Sequence, residues 1–331
     1  MLLSMFKPFA YLRACFHHEL YHGWFKKKKF FEGWYFKIVD KTGNHTFAFI
    51  PGIAMDEHGN KQAFIQVLDG SAVTARYHKF DPVYFKTNTR RFKVKLQENS
   101  FSLNRLKLQL PDCKGQLHFN QHVYWNKKWW APGIMGWYSW VPFMECYHQV
   151  ISMYSNLTGK LMINGREIDF TGGRAYIEKD WGRSFPAGWL WMQSNHFSKP
   201  DISFKLSVAR IPWIGNAFTG FICAFYYNNK TQVFATYTGA KLINCQFSDS
   251  GADVRLEDKQ FILKVHAEKA PGAELLSPIL GLMEGRVQES MQAVIHITLI
   301  SKKENRIIFN DTGKFAGLEI AGNTHVLSNP T

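Results

Sequence analysis

Gly172-Gly173-Arg174-Ala175-Tyr176-Ile177-Glu178 and Gly313-Lys314-Phe315-Ala316-Gly317-Leu318-Glu319 share one pattern, a glycine opening an alternating run that closes on a glutamate. Alternation marks a half-buried β-strand, because successive side chains point to opposite faces. Working outward, the preceding segments match in the same order. Val94-Lys95-Leu96-Gln97-Glu98 resembles Val254-Arg255-Leu256-Glu257-Asp258, and Ala63-Phe64-Ile65-Gln66-Val67 corresponds to Thr219-Gly220-Phe221-Ile222-Cys223 or to the strand after it. Ile50-Pro51 pairs with Ile211-Pro212, and Gly33-Trp34-Tyr35-Phe36 with Gly188-Trp189-Leu190-Trp191. An ordered series of this kind predicts duplication: two antiparallel β-barrels in tandem, with a boundary near residue 186. The expected organisation is a basic, aromatic N-terminal arm over 1–29, a first barrel over 30–186 and a second over 187–331.

The rest of the chain reads the same way. Short alternating segments at 92–96, 115–119, 203–209, 233–237, 261–265 and 293–299 are separated by turn formers such as Lys41-Thr42-Gly43-Asn44, Ile163-Asn164-Gly165 and Asn228-Asn229. Asn and Gly tolerate the left-handed backbone that tight hairpins need. The fold class is all-β with few short helices; in the second half only 275–285 reads as helical.

Composition narrows the function classes. Hydrophobic residues make up 46% of the 331 and aromatics 16%, enough for a large core and for an aromatic-lined pocket. The net charge of +14 is dispersed apart from Lys26 to Lys29. No zinc-finger, RNA-recognition or helix-turn-helix signature accompanies it, so no nucleic acid is expected as a partner; peripheral contact with an anionic membrane is at least as good a use of the charge, and a merely basic soluble protein is the plainer reading. Five cysteines without a C-x-x-C pair suit a reducing compartment and a cytoplasmic location, peripheral at the inner membrane surface. No apolar stretch is long enough for a membrane-spanning helix. Phe6, Phe9, Tyr11 and Phe16 are lipid-facing candidates in the arm. Dinucleotide fingerprints, P-loops, nucleophile elbows and H-E-x-x-H are absent from the sequence. His17, His18 and His22 form a weak metal candidate.

The duplication also locates chemistry. The first copy continues Glu178-Lys179-Asp180-Trp181-Gly182, whereas the second ends Glu319-Ile320-Ala321-Gly322. The second copy lacks the tyrosine, the second acid and the tryptophan, so the fold does not require them. Glu178 and Asp180, two apart on a strand, share a face and can titrate as a pair. A purely structural reading pairs Glu178 with Arg174 or Lys179, and Asp180 with Arg183.

Several segments resemble the tocopherol cyclase family. They are Phe30-Phe31-Glu32-Gly33-Trp34-Tyr35-Phe36-Lys37, Phe49-Ile50-Pro51-Gly52-Ile53, and Gly136-Trp137-Tyr138-Ser139-Trp140-Val141-Pro142-Phe143-Met144-Glu145-Cys146-Tyr147-His148. Tyr176 to Gly182 and Trp189 to Phe197 extend the likeness. The resemblance implies lipocalin-like barrels, kinship with carotenoid hydratases, and an intramolecular lyase that closes a chromanol ring from a prenyl hydroquinone without cofactor or metal. An alkene is protonated and the phenol oxygen captures the cation.

That chemistry needs a carboxylic acid kept protonated by apolar surroundings, for which Asp180 and Glu178 are the candidates. His148 and Tyr176 suit the hydrogen bond or proton transfer at the phenol, with His196 weaker. Aromatic faces stabilise a cation, and Trp34, Trp137, Tyr138, Trp140, Trp181, Trp189 and Trp191 are the candidates for the substrate-binding wall. A dry barrel interior would lodge the prenyl tail. Glu32 reads as a structural partner for an arginine or for backbone amides. The competing reading is a non-catalytic, lipocalin-like carrier of isoprenoid or other lipid ligands.

Overall fold

A computed structural model describes residues 13–328. Its first half runs β1 (Phe30–Val39), β2 (Thr46–Met55), β3 (Lys61–Asp69), β4 (Thr74–Phe80), β5 (Phe85–Thr87), β6 (Lys93–Leu96), β7 (Asn99–Ser102), β8 (Arg105–Gln109), β9 (Cys113–Val123), β10 (Cys146–Ile163), β11 (Arg166–Asp169) and β12 (Arg174–Gly182). These form one antiparallel sheet in the order β4-β3-β2-β1-β12-β10-β9-β8-β7-β6-β5, with β11 on β10. The second half runs β13 (Gly188–Ser194), β14 (Ser203–Trp213), β15 (Asn216–Tyr227), β16 (Lys230–Ala235), β17 (Lys241–Phe247), β18 (Gly251–Glu257), β19 (Phe261–Glu268), β20 (Gly272–Ile279), β21 (Leu282–Ser301) and β22 (Arg306–Gly322). Its order is β16-β15-β14-β13-β22-β21-β19-β18-β17, with β20 on β21. In each sheet the last strand closes on the first, as β12 on β1 and β22 on β13. The chain is thus an all-β, tandem lipocalin-like molecule of two antiparallel sheets, one of them nearly closed.

Two compact units emerge. Among the described residues, one comprises 13–69, 75–185 and 276–286; the other comprises 70–74, 186–275 and 287–328. The segment expected to be helical, 275–285, is instead the end of β20, a two-residue turn and the start of β21. Leu280 and Gly281 turn it with φ of 47° and 83°, the left-handed pair of a tight hairpin. A side chain at Gly281 would run into the Met55 carbonyl, 1.9 Å from an added Cβ. A short apolar run does not reveal its own period, and here the turn residues decide it.

The inner face of the first sheet carries Trp34, Phe36 and Ile38 from β1 and Ala175, Ile177 and Trp181 from β12. Rings meet across it: Phe36 lies 6.0 Å from Phe92, 5.5 Å from Phe101 and 5.9 Å from Phe119. At this level the expected tunnel is filled by the barrel's own side chains. The second sheet encloses Leu190, Met192, Ala316 and Leu318 in its own cluster. The glycine–tryptophan match of the two opening strands is therefore out of step. Trp34 points into the first core, whereas on β13 it is Leu190 and Met192, not Trp189, that point inward. A one-residue shift reverses the face of every side chain.

Candidate active site

Alternation along β12 sorts its residues. Ala175, Ile177, Lys179 and Trp181 face the interior; Tyr176, Glu178 and Asp180 face outward. The neighbouring strand β10 pairs in register, with His148 opposite Asp180 and Val150 opposite Glu178. His148 thereby joins the outer face. Its Nδ1 lies 2.7 Å from Asp180 Oδ1, and its Nε2 lies 3.6 Å from Glu178 Oε2. Tyr176 donates its hydroxyl to the same Oε2 at 2.6 Å. Four polar groups thus form one chain, Tyr176–Glu178–His148–Asp180, on a face where Tyr176 is fully buried and Glu178 nearly so. Burial first, and the Glu178 carboxylate second, push the Tyr176 phenol well above its ordinary range, so it stays a donor. Nε2 of His148 is buried and has no hydrogen-bond partner among the described residues. A gap of 3.6 Å is too long for a hydrogen bond, so this ring nitrogen is turned toward Glu178 without bonding to it. Ligand atoms of His148, Glu178 and Asp180 all lie within 4.8 Å of one another, a spacing that could also hold a cation.

The inner face of the same strand carries a second polar group. Lys179 Nζ lies 2.5 Å from Glu32 Oε1, with both side chains fully buried. Its ammonium also donates to the His18 carbonyl at 2.8 Å and to the Leu20 carbonyl, and meets His22 Nδ1 at 2.8 Å. Trp34 and Trp181 flank it, with ring centroids 4.8 and 4.7 Å away. Glu32 accepts the His22 backbone N–H, in keeping with its expected structural role. Burial draws Lys179 down to about 8 against the attraction of Glu32, and raises Glu32 against the attraction of Lys179. The knot fastens residues 18–23 to the barrel. The three histidines read as a weak metal candidate are occupied here: His17 Nδ1 faces Glu19 Oε1 at 2.9 Å, His18 Nδ1 faces Gln149 Oε1 at 3.3 Å, and His22 Nε2 faces the Ala14 carbonyl at 3.2 Å.

The model of a family described as "Tocopherol cyclase-like" matches residues 97–322, more than half of the chain. The chain belongs to the tocopherol cyclase-like family. Among curated relatives, "Probable tocopherol cyclase, chloroplastic" of Oryza sativa subsp. japonica is 25% identical over 199 residues, which cover 56% of this chain and 42% of that protein. "Tocopherol cyclase, chloroplastic" of Zea mays is 25% identical over 199 residues, covering 56% of this chain and 41% of its own length. The match therefore spans less than half of either relative. Among solved structures, CghA superposes with a TM-score of 0.55 at 9% identity over 88% of both chains, which speaks for the fold alone.

Within this tocopherol cyclase-like chain, the aromatic candidates fall into three places. Trp34 and Trp181 line the inner face of the first barrel, beside Lys179 and away from the outer cluster. Trp137, Tyr138 and Trp140 sit on a short 3-10 helix, Gly136–Trp140, where Trp137 stacks on Tyr138 at 4.0 Å. That helix is tied to β10, because Tyr147 donates its hydroxyl to the Val141 carbonyl at 2.5 Å and Met135 Sδ takes the His148 N–H at 3.1 Å. Trp189 and Trp191 belong to the second unit, where Trp189 Nε1 donates to Glu319 at 2.6 Å. The basic groups weighed as partners of the acids are turned elsewhere. Lys179 points inward, the Arg174 guanidinium lies 5.9 Å over the Tyr154 ring, and Arg183 acts on Glu145. Gln149 was missed: its side-chain oxygen accepts the Ile134 N–H at 3.0 Å and so anchors the loop before the helix. Its inward position between outward His148 and Val150 was the available signal.

Among the described residues, no helix is long and apolar enough to cross a membrane. All five cysteines are unpaired.

Proposed function

We propose that the outer-face cluster closes a prenyl hydroquinone to a chromanol by acid catalysis. The observation that supports this best is the buried, unpartnered Nε2 of His148, held toward Glu178 while its other ring nitrogen is fixed by Asp180. Asp180 and Glu178 carry the proton to be delivered, and His148 passes it between them. Tyr176 donates to Oε2 of Glu178 and so holds that carboxyl in place. The alkene π pair takes the proton, leaving a tertiary carbocation. A lone pair of the phenol oxygen forms the new C–O bond, and the phenol proton returns to the cluster, so the product has the mass of the substrate and nothing is oxidised. A dry face favours ring closure, whereas water at the cation would give a hydrate. The unpaired cysteines suit a reducing interior such as the cytoplasm.

The test is anaerobic incubation of the purified protein with 2-methyl-6-phytyl-hydroquinone, followed by mass-resolved chromatography. The expected result is a chromanol of unchanged mass, reduced at least about a hundredfold by Asp180→Asn, the scale of a lost general acid. A product heavier by one water would replace cyclisation with hydration. Unchanged substrate co-eluting with the protein would replace the enzyme with a carrier.

A further inference from the structure

Exposed tryptophan is expensive to leave in water, and a cluster of it marks a contact surface. Among the described residues, every exposed tryptophan and phenylalanine falls in two segments: Phe16 and Phe25 in one, and Trp129, Trp130, Trp137, Trp140 and Phe143 in the other. Trp129 is 85% exposed. The two segments are one surface. The Phe16 ring meets Trp140 edge-on at 5.1 Å, and Lys127 Nζ lies 3.1 Å from Glu19. Lysines are interleaved with the rings: Lys127 and Lys128 precede Trp129, and Lys26 to Lys29 follow Phe25. Lys128 lies 5.2 Å over the Trp130 ring and Lys26 lies 6.0 Å over Phe30. Glu19 and Glu57 are the acids paired with these lysines, so six lysines face two carboxylates.

We propose that this aromatic and basic surface docks on an anionic lipid bilayer. Indole rings settle at the boundary between headgroup and acyl chain, and lysines reach the anionic headgroups. A protein partner would be met by fewer bare lysines, which are depleted in such interfaces. Of the four arm residues read as lipid-facing, Phe16 is 55% exposed and belongs to this surface; Phe6, Phe9 and Tyr11 lie outside the described residues. The loop that carries the belt also supplies Met135 to the His148 backbone, so the belt and the outer-face cluster are joined through one stretch of chain. The surface stands whichever reaction that cluster performs.

The experiment is flotation of the full chain with phosphatidylcholine vesicles containing or lacking phosphatidylglycerol, at low and high salt. The chain should float with the anionic vesicles, less so in salt. Trp129→Ala with Trp130→Ala should weaken partition at least tenfold, and Lys127→Ala with Lys128→Ala should weaken it about fivefold per lysine on anionic vesicles only. Circular dichroism and melting must match the parent for both variants, as the exposure of these side chains leads one to expect. Brominated lipid should quench tryptophan fluorescence in the parent and less in the double tryptophan variant. No flotation with anionic vesicles, or equal flotation of parent and both variants, would overturn the proposal.

Discussion

β12 and β22 close their sheets in the same way but put the outer face to different use. By the sequence match, Tyr176, Glu178 and Asp180 correspond to Gly317, Glu319 and Ala321. The glutamate is common to both; its neighbours are not. Glu178 meets a tyrosine hydroxyl and a histidine. Glu319 receives an indole N–H from Trp189, and the Trp191 ring lies where a side chain at Gly317 would stand, 2.6 Å from an added Cβ. The inner faces differ as well, because Lys179 stands where the second sheet has Ile320. A closing strand of this fold thus needs neither the lysine nor the second acid. In the first unit those residues serve the cluster and the arm.

The sharpest way to break this comparison is to change the shared glutamate in each unit. Glu178→Gln is expected to lower turnover of the hydroquinone by about 10²–10⁴, and Glu319→Gln by less than about tenfold. Comparable losses from both would show that the two strands are not differently employed. Next comes the interior. Lys179→Met leaves Glu32 buried without its cation, which costs about 3–5 kcal/mol; chemical denaturation should register it. Adding Glu32→Met should restore most of that stability, since an apolar interior already suffices at Ile320. A double variant as unstable as the single would assign Glu32 a separate role.

Acid titration sharpens the same contrast. Burial, and after it the neighbouring His22, hold His18 down to about 3 from 6.5. Its folded value is depressed, so between those limits the unfolded chain binds more protons. Stability from this group is present above about 6.5 and is lost as pH falls toward 3, by up to about 1.4 kcal/mol per pH unit. His18→Leu should flatten that slope in denaturation curves measured from pH 7 to 4; an unchanged slope would acquit His18. The smallest effect is expected from Tyr176→Phe, which removes one hydrogen bond to Glu178. Turnover should fall about tenfold and stability by about 1–1.5 kcal/mol, the scale for such a bond.

Much of this was readable in the sequence. Hairpin spacing gave the all-β class, the repeated closing strand gave the tandem plan, and alternation put Glu178 and Asp180 on one face. Alternation also implied that Lys179 points inward, but which acid would meet it depends on the pairing of β1 with β12, a contact between distant parts of the chain. The inward turn of Trp34 and the outward turn of Trp189 escaped for a related reason. Two identical dipeptides sit one step apart in register, and only strand pairing reveals the step. The hairpin at 275–285 was concealed by an apolar run too short to show its own period.

The rings that fill the first barrel bear on how its specificity can be changed. Trp34, Phe36, Phe92, Phe101 and Phe119 leave little that can be altered inside without loss of folding, so a selection for new substrates that randomises the interior will mostly return insoluble clones. Tyr35 and Val150 are the positions to randomise instead. They pair with Glu178 from the strands on either side, and they vary the surroundings of the acid while the barrel behind it is kept intact.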